Sequence, residues 1–118
     1  MKPDGVPART LTAITRSFAS LRPAIWKRDV EPGDCVVVTT RNSVYYLRAL
    51  GGELFDVSGG WFAGIPRRRP VRVSGCTFGG RAICTELLAA RGLFLEFGNR
   101  VSTTRIRDVR MLRPGWDA

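Results

Sequence analysis

The side chains best suited to chemistry in this sequence are arginines. Arg67, Arg68 and Arg69 follow Pro66 in one run, and Arg72 comes shortly after. Arg105 and Arg107 stand two apart, so on a strand they share a face. A guanidinium presents its N–H donors in a planar fork that contacts phosphate in a bidentate way and stacks on bases. Aromatic residues occur in the same part of the chain. Trp61 follows a glycine pair, and Tyr45 and Tyr46 are adjacent, so one of the two must point away from a buried strand face. Arginines beside exposed rings make a basic track with stacking platforms, the surface that single strands bind. Arg67, Arg68, Arg69, Arg72, Arg105, Arg107, Trp61, Tyr45 and Tyr46 are therefore the candidate nucleic-acid contacts. The plainer reading is a solvated exterior for the arginines, with Trp61, Phe62 and Phe78 capping the ends of a β structure.

Charge agrees with the first reading. The 118 residues carry 19 basic and 10 acidic side chains, a formal net charge of +9 and a pI near 11.0. Such an excess attracts polyanions, nucleic acid or an acidic protein. A GC-rich genome favours Arg over Lys, but that bias does not explain the shortage of acids. There is no histidine, which removes the commonest general base and metal ligand and forbids a Ser–His–Asp triad or a Cys–His dyad. The ten acids show no spacing typical of a metal pair or an acid–base dyad. No catalytic residue is assigned, and the chain reads as a binding protein rather than an enzyme, with a hydrolase built on carboxylates alone left open.

Cys35, Cys76 and Cys84 form no C-x-x-C and have no histidine to complete a zinc site, so no metal and no cofactor is expected. They read as reduced thiols of a cytoplasmic protein. Cys76, flanked by glycines, has the one loop-like setting in which a thiol could react. Neither G-x-x-x-x-G-K-[ST] nor G-x-G-x-x-G is present.

The elements that must position these residues are mostly strands. Residues 35–40 (C-V-V-V-T-T) are β-branched and short, and residues 43–50, 53–57, 71–73, 93–97 and 102–112 read as further strands. Gly51-Gly52 marks a hairpin. Ile106 and Val109 break strict alternation, which predicts a bulge in the last strand. Residues 82–85 suggest a strand edge and 86–90 a single helical turn. The predicted fold is mainly β: a small five- or six-stranded SH3-like or OB-like barrel over residues 31–113, with a tail at 114–118. Residues 1–30 read as a basic extension in which Leu11, Ile14, Phe18 and Leu21 recur at helical spacing. They form one face of an amphipathic helix over about 8–21, ended by Pro23. No apolar run reaches the ~18 residues of a membrane span.

Val57-Ser58-Gly59-Gly60-Trp61-Phe62 and Val73-Ser74-Gly75-Cys76-Thr77-Phe78 share the pattern V-S-G-x-x-F. The pair predicts two equivalent strand corners, each tucking a Phe beneath a glycine kink. Residues 33–112 resemble a group of short hypothetical bacterial proteins, on G-D-C-V-V-V-T-T-R-N-S, V-S-G-G-W-F, G-C-T-F-G-G-R-A-I and L-E-F-G-N-R-V-S-T-T-R-I-R. The resemblance covers about two-thirds of the chain and implies a bacterial cytoplasmic setting; no activity comes with it. Three functions follow as expectations. The first is a nucleic-acid-binding barrel that contacts phosphates through arginines. The second is an assembly module that docks an acidic protein or a second copy through Leu11, Ile14, Phe18 and Leu21 or through the Gly-Trp-Phe corner. The third is a small-ligand barrel built on the twin corners.

Overall fold

Period-two burial builds the first hairpin. The structure, a computed structural model, describes residues 24–65, 69–78 and 83–113. Its strands are β1 (Ala24–Trp26), β2 (Cys35–Thr40), β3 (Val44–Gly51), β4 (Leu54–Gly59), β5 (Val71–Thr77), β6 (Leu87–Ala90), β7 (Phe94–Phe97) and β8 (Ser102–Leu112). β2 buries Val36, Val38 and Thr40, and β3 buries Tyr45, Leu47 and Ala49. The two pair antiparallel from Cys35 opposite Arg48 to Thr39 opposite Val44.

The barrel is closed, antiparallel and six-stranded, in the order β2-β3-β4-β5-β7-β8. Closure removes the exposed edges a small sheet would otherwise offer. β8 makes the closure because it serves two neighbours: its first half pairs with β7 and its second with β2. That double duty needs extra twist. The ladder slips once against β7 and once against β2, where Thr39 opposes Asp108 but Thr40 opposes Ile106. The buried residues Thr103, Ile106 and Val109 accordingly fall three apart rather than two. The bulge expected from Ile106 and Val109 is present.

β6 corrects an expectation. Residues 86–90 suggest a helical turn, but Leu87, Leu88, Ala89 and Ala90 form a strand in which every residue is buried. A strand covered on both faces has no alternation to reveal it. β6 pairs with β1 in a two-stranded ribbon, Ala24 opposite Ala90. The described fold therefore begins at Ala24, inside the stretch read as an extension. The helix expected over residues 8–21, with Leu11, Ile14, Phe18 and Leu21, lies outside the described residues, as do Arg67, Arg68 and the tail 114–118. No helix among the described residues is long and apolar enough to cross a membrane.

The core runs through Leu47, Leu93, Leu95, Phe97 and Ile106, each at most 2 % exposed. Burying such a side chain stabilises the fold by about 1.5–3 kcal/mol. The twin V-S-G-x-x-F segments share their glycine more than their phenylalanine. Gly59 has φ +84 and Gly75 φ +147; a Cβ would fall 2.1 Å from the Val44 oxygen at the first and 2.3 Å from the Cys84 oxygen at the second. Both corners thus need glycine for conformation and for close approach of neighbouring backbone. Phe62 is tucked in as expected, whereas Phe78 stays 37 % exposed.

Candidate functional site

Four arginines converge at one end of the barrel. Arg41 follows β2, Arg91 follows β6, and Arg105 and Arg107 stand on β8 to either side of buried Ile106. With Gly92 they line one open recess of about 580 Å³. Backbone bonds tie the β6–β7 turn to β8: the Gly92 N–H donates to the Ile106 oxygen at 2.8 Å, and the Ile106 N–H donates to the Leu93 oxygen at 2.7 Å. That stitch sets Arg91 beside Arg105, although the two are far apart in sequence.

Arg105 is held in place. Its Nη1 donates to the Gly92 oxygen at 2.7 Å, and its guanidinium lies 4.8 Å over the Phe94 ring. One donor and one face are engaged, which leaves the rest of the fork for an incoming acceptor. Among the described residues, none of these four arginines has an acidic partner. Four unpaired guanidinium groups around one recess repel each other and attract a polyanion.

The other end of β2 is built the opposite way. Asp34, buried before the strand, accepts from the Glu31 N–H at 2.8 Å and from Arg113 Nε at 3.2 Å. Glu53, on the β3–β4 turn, takes Lys27 Nζ at 3.2 Å and Arg72 Nη1 at 3.9 Å. Arg72, a sequence candidate, therefore sits away from the recess with an acid beside it.

Trp61 and Arg69 come together at a second place. They share a groove of about 230 Å³ with Phe62, Ile65, Val71 and Asn99. Trp61 is 57 % exposed, and its backbone N–H donates to the Tyr45 hydroxyl at 3.4 Å. The paired tyrosines divide as alternation requires. Tyr46 is exposed on the outer face of β3, between Val37 and Ser58, and lines neither recess nor groove. Tyr45 is 5 % exposed and packs on Phe62 and Phe97, so its ring is closed to a base; its place in the candidate set is corrected.

Cys35 and Cys76 are not activated. Cys76 lies inside β5, not in a loop, and its Sγ donates to the Leu88 oxygen at 3.3 Å. Burial pushes its pKa up to about 12, and a backbone hydrogen bond from Ala90, which favours the thiolate, offsets little of that. Burial also raises Cys35, with Arg48 opposing the shift. Low-pKa thiolate chemistry at Cys76 is thereby set aside. Among the described residues, no group of three or more Cys, Asp or Glu is placed to hold a metal ion.

Sequence alone places Arg105 and Arg107 on one face. It misses Arg41 and Arg91 as site residues, because their position beside the pair is a long-range fact of closure. No protein-family model, curated protein or solved structure matches the chain.

Proposed function

We propose that this chain is a cytoplasmic nucleic-acid-binding protein, a barrel of the SH3-like or OB-like kind that grips phosphates with Arg41, Arg91, Arg105 and Arg107. The observation that carries the reading is the absence of any acidic partner around that quartet, among the described residues, in a molecule that pairs Lys27, Arg72, Arg110 and Arg113 with acids. A surface needing charge only for solubility is served by both signs interspersed. Four uncompensated forks around a recess suit a ligand carrying several negative charges, each fork taking two oxygens.

Phosphate contacts give affinity without reading sequence, so binding is broad and strongly salt-dependent. Fluorescence anisotropy with single- and double-stranded oligonucleotides at several salt concentrations tests this. The four recess contacts should contribute about −3 to the slope of log K against log [salt] on single strands, at roughly 0.7 per contact. A flat salt response, or no binding at moderate salt, overturns the reading in favour of an acidic protein partner.

A further inference from the structure

Resting on the phosphate reading, we infer that the groove at Trp61 is a base-stacking subsite: it takes one unpaired nucleobase of a single strand whose phosphates lie along the arginine recess. Four observations support it.

The first is a fixed platform. Trp61 meets Phe62 edge-on at 5.1 Å and 84°, and Phe62 meets buried Phe97 at 5.1 Å and 80°. A column of rings thus runs from the core to an exposed indole, and the Trp61 N–H bond to Tyr45 holds its backbone. An exposed tryptophan seated this firmly loses little freedom when a second ring covers it.

The second is size. About 230 Å³ is below the usual range of small-molecule pockets and suits one flat ring system.

The third is the groove's polar edge. Arg69 and Asn99 are the charged and amide side chains in a lining otherwise of aliphatic and aromatic groups. The Asn99 Oδ1 accepts from the Val101 N–H at 3.2 Å, which leaves its NH₂ as a donor for a ring nitrogen or carbonyl. Arg69 has no acidic partner among the described residues, so it adds positive charge where the strand's backbone would pass.

The fourth is position. Asn99 stands on the turn that feeds β8, and Arg105 stands on β8 itself. The intervening chain spans at most roughly 20 Å, so one short strand reaches both places. Duplex DNA keeps its bases stacked inside and offers nothing to the indole, so the groove makes the site prefer single strands.

The test compares wild type with Trp61→Ala on three probes: an oligothymidylate roughly 12 nucleotides long, an abasic strand of the same length, and a matched duplex. Trp61→Ala should weaken the oligothymidylate about 5- to 150-fold, as loss of one stacked base does. It should leave the abasic strand, the duplex and the salt slope unchanged. Trp61→Phe should keep most of the affinity while removing the quenching of indole emission on binding. Equal weakening on base-bearing and abasic strands overturns the stacking subsite, as does no weakening on either. Wild-type binding to oligothymidylate but not to the abasic strand overturns the phosphate recess and leaves the groove standing. Binding to none of the probes overturns both. Trp61 is largely exposed, so the variants should melt with wild type; Arg69→Gln, which should lower the salt slope by about 0.7, gives a second and independent reading of the groove.

Discussion

The two ends of strand β2 handle charge in opposite ways. Before the strand, Asp34 and Glu53 gather Arg113, Lys27 and Arg72, and these contacts link the β1–β2 connection, the β3–β4 turn and the end of β8. After it, Arg41, Arg91, Arg105 and Arg107 surround a recess with no acid among the described residues. Cations at the first end finish the fold. Cations at the second are left open, with Arg105 held in place by a backbone and a ring contact. The lesson is that net charge says little until each cation is assigned a partner: of the strand-borne arginines read as one basic set, Arg72 belongs to one end and Arg105 and Arg107 to the other.

That division implies that stability and binding respond to different changes. The largest effect falls on stability and spares the recess. The unfolded chain gives up the Cys76 proton near pH 9.0 and the folded chain only near about 12, so stability should fall as pH rises through that window. The loss amounts to at most about 4 kcal/mol, while arginines stay charged. Urea unfolding of wild type and Cys76→Ala across pH 8–12 reads it as a difference curve that slopes downward; parallel curves contradict it.

Next comes Asp34→Ala, which removes the acceptor of the part-buried Glu31 N–H and of Arg113 Nε, while Arg113 Nη2 keeps the Asp29 oxygen. The expected cost is about 2–3 kcal/mol, or a fall in Tm of about 10–20 °C, with the affinity of the folded protein for single strands unchanged. A matching loss of affinity would mean that the two ends are coupled.

At the recess, Arg105→Gln combined with Arg107→Gln should weaken single-strand binding about 10- to 100-fold near 0.1 M salt and flatten the salt slope by about 1.4. Stability should fall by no more than about 1–2 kcal/mol, from the Arg105 bond to Gly92 and its contact with Phe94, since no ion pair is lost. The smallest effect belongs to Arg72→Gln. Its contact with Glu53 is long and exposed, so both stability and affinity should move by no more than about 0.5 kcal/mol.

Much of this architecture was legible in local pattern. β2 and β3 announce themselves by β-branching and alternation, and Ile106 and Val109, three apart, expose the bulge in β8. The choice between Tyr45 and Tyr46 was legible too: Arg48 must face water, so Tyr46 shares its face and Tyr45 turns in. What local pattern hides is whatever closure decides. β6 is buried on both faces and carries no period, so it reads as a helical turn. Arg91 reaches Arg105 only because Gly92 bonds to Ile106 across strands. Arg72 looks like part of an arginine cluster until the β3–β4 turn brings Glu53 beside it.

The most direct measurement exchanges one charge at each end. Arg105→Glu and Arg72→Glu change net charge identically, so their long-range effect on a polyanion is the same. Anisotropy titration of single-stranded oligonucleotide over a salt series should show Arg105→Glu losing about tenfold or more in affinity with a shallower slope, while Arg72→Glu stays within about twofold of wild type. Equal losses from the two variants would mean that the protein attracts nucleic acid by overall charge alone, and that the unpaired recess is not where it binds.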